Sequence, residues 1–267
     1  MTSSIAFNAA IGNVDPLASL TIVDSSGTTF AQTASVDGAV QLTDTTGTIN
    51  FQGVLTAGSV MANANSFVVD FDVAPDVSGA GSFSNTDGTA GTADLIFDAG
   101  GAFDGGLTVS GAGTISEGTE TDLAGTLTTQ GGNASLTLDE TLTLIGSAAL
   151  ETGNGTLLTN AIIDEGNDFT LSIQNVTSTG AATIRGDLDV GTLTTFGAGY
   201  TLNLLEDVSV TNDTNFLNTG SLVLGDGADD VQLYAGGLAT TGNATNPGTT
   251  SISGAVSTTA TDIDLGL

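Results

Sequence analysis

The sequence predicts an all-β protein built as a parallel β-solenoid, and three observations carry this prediction. Apolar and polar residues alternate over short stretches, turn signals containing glycine recur roughly every ten residues, and only 5% of the residues are aromatic, with no tryptophan. Brief strands that are each followed by a corner suit coils that stack on one another. A tandem pair of β-sandwiches, which needs longer strands and hairpins, is the second architecture that the pattern allows.

The alternation predicts which side chains face the core. In segment 67–73 the odd-numbered apolar residues, Phe67 to Val73, share one face, and Asp70 and Asp72 share the other. In segment 136–144 the even-numbered leucines point inward, and Glu140 falls at an inward position between them. In segment 184–190 the apolar residues Ile184, Leu188 and Val190 point inward, opposite Arg185, Asp187 and Asp189. These inward residues are mostly small or medium aliphatics, as a narrow solenoid core requires.

Turn signals continue along the whole chain without a change in composition. Dipeptides such as Asp37-Gly38, Gly105-Gly106 and Glu165-Gly166 allow sharp corners, because glycine and Asn/Asp tolerate positive φ. No proline-rich or charge-rich linker divides the sequence, so residues 1–267 are predicted to form a single continuous β-solenoid with degenerate coils. At roughly 20–25 residues a coil, about a dozen coils would stack.

The charge balance excludes two classes of partner. Thirty residues are Asp or Glu, Arg185 is the one cation, and the formal net charge is −29. Such a surface repels phosphate backbones and anionic lipids, so we expect no nucleic acid as a partner. No apolar run reaches the roughly 18 residues of a transmembrane helix, so we expect no membrane insertion. Arg185 is expected to form a surface ion pair with Asp187 or Asp189, on the same strand face.

The residue types that are missing argue against an enzyme. The chain has no histidine, cysteine or lysine, which removes Ser-His-Asp, Cys-His and Schiff-base catalysis and the usual zinc ligands. Two-carboxylate glycoside hydrolysis would still be chemically possible. Sugar-cleaving clefts normally offer aromatic platforms, however, and this chain has only Tyr200 and Tyr234 besides its phenylalanines.

Two phrases near the N-terminus carry a family resemblance. The sequence Ile5-Ala6-Phe7-Asn8-Ala9-Ala10-Ile11-Gly12, followed by Pro16-Leu17-Ala18-Ser19-Leu20-Thr21-Ile22, resembles the degenerate repeats of filamentous-haemagglutinin-like bacterial adhesins and autotransporter passengers. Segments 218–226 and 236–241 resemble the same repeats. The resemblance implies a right-handed parallel β-helix and export to the cell surface of a bacterium, and it transfers no active site. The N-terminal residues lack the features of a secretory signal, so we expect an exported chain to be a mature form or an excerpt.

One acidic turn suggests a calcium site. The sequence Gly225-Asp226-Gly227-Ala228-Asp229-Asp230-Val231 matches the core of the calcium-binding nonapeptide repeat, with Leu224 in place of its leading glycine. Asp226, Asp229 and Asp230 are the candidate ligands. A plain acidic turn is the alternative interpretation, because a single copy of the repeat cannot complete such a site.

Together these features predict a non-enzymatic extracellular structural protein: a surface stalk, filament or matrix component. Unpaired strands at the two ends of a solenoid favour association, so we expect a homo-oligomer or polymer formed by end-to-end contact. One alternative is an adhesin module that recognises a glycan or the surface of a host or neighbouring cell. The other is a calcium-dependent surface-layer or filament assembly protein. Cofactors are not expected, apart from the calcium considered above.

Overall fold

The computed structural model of the chain is all-β. It describes residues 3–43, 46–63, 67–84, 95–109, 120–129, 131, 133–174, 178–242, 244–259 and 262–265. Within these ranges no helix is long and apolar enough to cross a lipid bilayer. The described strands are β1 (Ile5–Phe7), β2 (Leu20–Val23), β3 (Thr28–Phe30), β4 (Ala34–Thr43), β5 (Ile49–Phe51), β6 (Leu55–Ala62), β7 (Val69–Phe71), β8 (Asp76–Val77), β9 (Gly81–Phe83), β10 (Leu95–Phe97), β11 (Gly100–Phe103), β12 (Leu107–Val109), β13 (Glu120–Thr128), β14 (Leu136–Leu138), β15 (Thr141–Glu151), β16 (Leu157–Thr159), β17 (Ile162–Ile163), β18 (Thr170–Ile173), β19 (Ala181–Ile184), β20 (Leu188–Val190), β21 (Thr192–Thr195), β22 (Thr201–Leu204), β23 (Val208–Val210), β24 (Thr214–Asn215), β25 (Ser221–Leu224), β26 (Val231–Tyr234), β27 (Leu238–Ala239), β28 (Thr249–Ile252), β29 (Ala255–Ser257) and β30 (Ile263–Asp264).

The strands stack in three columns, and each turn of the chain contributes to all three. The first column begins with β1, β3, β5, β7 and β10 and ends with β23, β26 and β29. The second runs through β8 and β11 to β18 and β21, and β24, β27 and β30 pair further along the same side. The third runs from β2 to β28. Long strands such as β4 and β15 bend at a corner and serve two columns. All of these pairings are parallel, which confirms the predicted β-solenoid.

Turns of unequal length keep the columns in register. Residues paired between strands of successive turns lie as few as 20 positions apart, as in Asn50 and Asp70, or as many as 29, as in Leu107 and Leu136. The first column contains twelve described strands, from β1 to β29, so the described part of the chain makes about a dozen turns, as the sequence predicts. With about 4.8 Å of rise per turn, the stack is about 50 Å long.

The alternation places the predicted side chains correctly in most strands. Leucines 136, 138, 142 and 144 are buried, as are Ile184, Leu188 and Val190, while Arg185, Asp187 and Asp189 are exposed. Glu140 is also buried, and it accepts a hydrogen bond from the Thr121 hydroxyl of the preceding turn. Val73 was assigned to the core incorrectly: β7 ends at Phe71, the chain turns, and Val73 is exposed.

A ladder of phenylalanine rings fills the core along the first column, where the sequence suggested mainly aliphatics. Phe7, Phe30, Phe51, Phe71 and Phe97 stack nearly parallel, with ring centroids 4.8, 4.6, 5.1 and 5.3 Å apart in that order. Each ring follows from the register, since Phe7 pairs with Phe30 and Phe30 with Phe51. Five of the eleven phenylalanines therefore lie on one line, where each ring contacts the next.

Glycines allow the turns to meet closely at the corner between the second and third columns. A Cβ on Gly58 would lie 2.3 Å from the carbonyl oxygen of Asp37, and one on Gly79 would lie 2.2 Å from that of Gly58. Real Cβ atoms do not approach carbonyl oxygens this closely. The glycines at this corner are thus required by the contact between turns as well as by the bend itself.

Candidate functional site

Three carboxylates from two successive turns meet beside the phenylalanine ladder. Asp72 follows the ladder residue Phe71, and Asp98 follows Phe97, which pairs with Phe71 in the adjacent turn. Asp70 lies on the outward face of β7. One oxygen from each of Asp70, Asp72 and Asp98 lies within 4.8 Å of the other two. Oxygens that share one calcium ion at about 2.4 Å can be no farther apart than about 4.8 Å, so the spacing is compatible with a common cation.

Asp70 is the carboxylate of this cluster that is most affected by its surroundings. It is partly buried, and its Oδ2 accepts a hydrogen bond of 3.0 Å from Nδ2 of Asn50 in the preceding turn. Its Oδ1 is shielded from solvent and has no hydrogen-bond partner within the described part of the chain. Burial first, and then the charges of Asp72 and Asp98, raise the pKa of Asp70 from 3.8 to about 6, although the bond from Asn50 opposes the rise.

Asp70 therefore makes the stability of the fold dependent on pH. The folded protein binds the proton of the Asp70 carboxyl more tightly than the unfolded chain does. The stabilisation that this protonation provides is therefore fully present below about pH 4 and is lost as the pH rises to about 6. We expect Asp70→Asn to raise the melting temperature at pH 7.5 and to reduce its decline between pH 4 and 6, because Asn can still accept the bond from Asn50. Thermal melts followed by circular dichroism across this range test the prediction. Asp37→Asn, which removes the same charge from an exposed position where β4 bends, is the control, and an equal effect of the two substitutions would contradict the prediction.

The sequence-predicted calcium ligands lie elsewhere, in the turn between β25 and β26. Asp226 and Asp229 are exposed, whereas Asp230 is buried and uses its carboxylate within the turn. Its Oδ2 accepts backbone N–H bonds of 2.7 Å each from Asp226 and Gly227. This arrangement gives Asp230 a structural role in closing the turn, and calcium binding by the three residues stays a prediction.

This turn is part of a larger acidic surface. Glu206 lies one turn earlier, and its pKa is raised by partial desolvation and then by the charges of Asp230, Asp226, Asp187 and Asp229. The carboxylates of three successive turns therefore reinforce one another here.

No family model matches this chain. Neither a curated protein nor a solved structure matches it. The likeness to filamentous-haemagglutinin-like repeats therefore rests on the sequence phrases alone and stays an expectation.

Arg185 has a different ion-pair partner from the one predicted. Its Nη2 lies 2.6 Å from Oδ1 of Asp139, and its Nε donates to the carbonyl oxygen of Thr159. Asp187 and Asp189 are nearer in sequence, but the pair follows the stacking direction and spans from the turn of Asp139 to that of Arg185. Both side chains are about half exposed, so the pair contributes roughly 0–1 kcal/mol.

Asp98 is the member of the carboxylate cluster that sequence reasoning missed. Asp70 and Asp72 stood out as an outward pair, but placing Asp98 beside them requires the register between β7 and β10. A signal was present in the sequence, since Asp72 and Asp98 each follow a phenylalanine of the ladder. Aligning Phe71 with Phe97 in the sequence would have placed Asp72 beside Asp98 and so identified the cluster.

Proposed function

We propose that this chain is a non-enzymatic structural rod of the bacterial cell surface, which extends by stacking end to end with further copies of itself. The observation that carries the proposal is that the first and last described strands of the columns, such as β1 and β29, have one edge that pairs with no other described strand. In the first described turn Ile5, Ala6 and Val23 are exposed, and in the last described turn Ile252 and Ile263 are exposed. Open edges with apolar side chains are favourable surfaces for strand addition.

The two ends are complementary in polarity. At the first turn the N–H of Ile5 donates to Gly27 and the carbonyl oxygen of Phe7 accepts from Ala31. Neighbouring residues of a parallel strand point their backbone groups to opposite sides, so those of Ala6 point away from the stack. At the last turn the N–H of Ala255 donates to Asp230, and by the same rule Val256 points its N–H away from the stack. The last turn of one copy can therefore pair in parallel with the first turn of the next, a head-to-tail contact that grows into a filament.

Proline substitutions at the two ends test this proposal. Ala6→Pro and Val256→Pro each remove an outward N–H and place a ring on an open edge, while the bonds of Ile5, Phe7 and Ala255 to the stack are retained. We expect each variant alone to be monomeric in light scattering at concentrations where the unmodified chain forms oligomers, since an interfering proline costs about 3 kcal/mol, or about a hundredfold in affinity. Ala6→Ser and Val256→Thr are the matched controls and should still associate.

Mixing the two proline variants gives the sharper result. Each variant keeps one intact end, and the two intact ends are the complementary ones. An equimolar mixture should therefore form dimers that do not grow further. Association of either proline variant alone, or a mixture that stays monomeric while the unmodified chain polymerises, would overturn head-to-tail stacking. A strictly monomeric unmodified chain at high concentration would overturn self-association as a whole.

Calcium-dependent assembly is the second candidate, and the cluster of Asp70, Asp72 and Asp98 favours it. Its three oxygens have the spacing of a shared cation, and a bound cation would relieve the repulsion that, after burial, raises the pKa of Asp70. The same light-scattering measurement with millimolar calcium and with a chelator separates the two candidates. Association that is unchanged by chelation supports the passive rod.

A further inference from the structure

The strand β26 reverses the usual orientation of polar and apolar side chains. Gln232 points into the core and is fully buried, where its Nε2 donates to the carbonyl oxygen of Glu206 at 2.6 Å and its Oε1 accepts from the Tyr234 hydroxyl. Val231, by contrast, is 46% exposed, and Leu233 is only partly buried. Departures from a local pattern that is otherwise followed are concentrated at functional positions. A strand that buries an amide and leaves one aliphatic exposed and another only partly buried is such a departure.

The exposed aliphatics form part of an open groove on the first column. The register aligns Asp189 with Ser209 and Ser209 with Leu233, so these three outward side chains form one row across three turns. Asp187, Asp207 and Val231 form the parallel row on the other side of the groove. The groove has a volume of about 270 Å³, enough for a few side chains of an extended segment.

The walls of this groove are strongly anionic. Asp187, Asp189 and Asp207 contribute exposed carboxylates, and Glu206 lies beside them. The raised pKa of Glu206, caused by partial desolvation and then by its acidic neighbours, reflects the same concentration of charge. One Asp207 oxygen accepts a hydrogen bond from the backbone N–H of Val231, and this bond fixes the Asp207 carboxylate next to β26.

Charge complementarity determines what can occupy the groove. A second copy of this chain is a poor occupant, because its one cation, Arg185, is paired with Asp139 and the rest of its charge is acidic. We propose that the groove binds a basic polypeptide segment of another protein, in which lysine or arginine side chains meet Asp187, Asp189 and Asp207 and an aliphatic side chain packs on Val231 and Leu233. This surface lies on the side of the rod, so its occupation does not depend on the end-to-end contact proposed above.

Two peptides of equal charge test the inference. A fluorescein-labelled heptapeptide of alternating lysine and leucine is compared with one of alternating lysine and serine, by fluorescence anisotropy at moderate salt. We expect the leucine peptide to bind the unmodified protein about tenfold more tightly, since burial of an aliphatic side chain contributes roughly 1.5 kcal/mol or more. The double variant Val231→Thr, Leu233→Thr should lose this preference.

Charge variants test whether the acidic side chains that line the groove contribute to binding. The triple variant Asp187→Asn, Asp189→Asn, Asp207→Asn should weaken binding of both peptides about tenfold, because three exposed ion pairs are lost, and Asn at 207 keeps an acceptor for Val231. The matched control replaces three exposed aspartates elsewhere: Asp15→Asn, Asp37→Asn and Asp76→Asn. Equal binding of the two peptides, or equal weakening by the two triple variants, would overturn the inference and assign the attraction to the overall negative charge. Circular dichroism checks that each variant is folded.

Discussion

Replacing Phe51 by alanine is expected to lower the free energy of unfolding by about 3–5 kcal/mol. Its ring is fully buried and is stacked between Phe30 at 4.6 Å and Phe71 at 5.1 Å. The substitution leaves a cavity in a narrow core, and the neighbouring rings are held in register by their own strands and cannot close it. Because each turn of a solenoid contacts only its neighbours, the loss also weakens the coupling between the turns on either side. Urea denaturation followed by circular dichroism measures both effects, as a shift of the midpoint and a change of slope.

Phe7→Ala is the matched control for this prediction. Phe7 belongs to the same ladder but is only partly buried, and within the described turns it stacks on Phe30 alone. We therefore expect a distinctly smaller loss of stability from Phe7→Ala. Similar losses at both positions would mean that the stacked arrangement contributes little beyond the presence of each ring.

Replacing Asp164 by alanine is expected to destabilise the fold by a similar amount, about 3–5 kcal/mol. Asp164 is buried, and its carboxylate accepts three backbone N–H bonds: from Gly166 at 2.9 Å, Phe169 at 2.8 Å and Gly191 at 2.9 Å. The first two close the loop that follows β17, and the third joins this loop to the next turn. Alanine would leave the buried N–H of Gly191 and the less buried N–H groups of Gly166 and Phe169 without their acceptor, and a hydrogen bond to a charged group contributes about 1.5–3 kcal/mol.

Asp164→Asn and Asp189→Asn complete the Asp164 experiment. The first keeps one carbonyl oxygen, so we expect an intermediate loss of stability, and the second removes an exposed carboxylate and should have little effect. Amide hydrogen exchange at Gly191 provides a local measurement, because its protection should fall in Asp164→Ala. Unchanged protection at Gly191 would show that the bond across the turns is not what stabilises this corner.

Period-two alternation was sufficient to predict the fold class and most of the core. It assigned the leucines of segment 136–144 correctly. An inward leucine in a stacked strand is surrounded by other inward apolar residues whichever residues of the adjacent turns it is paired with. The phenylalanine ladder and the cluster at Asp98 depend on which residues of different turns are paired. Because the spacing between paired positions varies from 20 to 29 residues, that pairing cannot be derived from a fixed repeat.

Alternation also fails where a buried polar group has its own partners. By pattern alone, Val231 and Leu233 would be assigned to the core and Gln232 to the surface. The bonds of Gln232 to Glu206 and Tyr234 reverse this assignment, and neither partner can be identified from the four residues of β26. Asp164 was missed for a similar reason, since a carboxylate at an inward position is favourable only where backbone donors converge on it.

The loop closed by Asp164 has a consequence for how this rod can vary. Residues 164–169 lie between β17 and β18, whereas Gly191 alone connects β20 and β21 at the same corner one turn later. Both connections leave the three columns in parallel register, so the framework tolerates a change of length at a corner provided that the base of the loop is closed. The paired strands that stabilise the stack are thus separate from the loops exposed at its corners. New surface segments can therefore be grafted at such corners without redesign of the core.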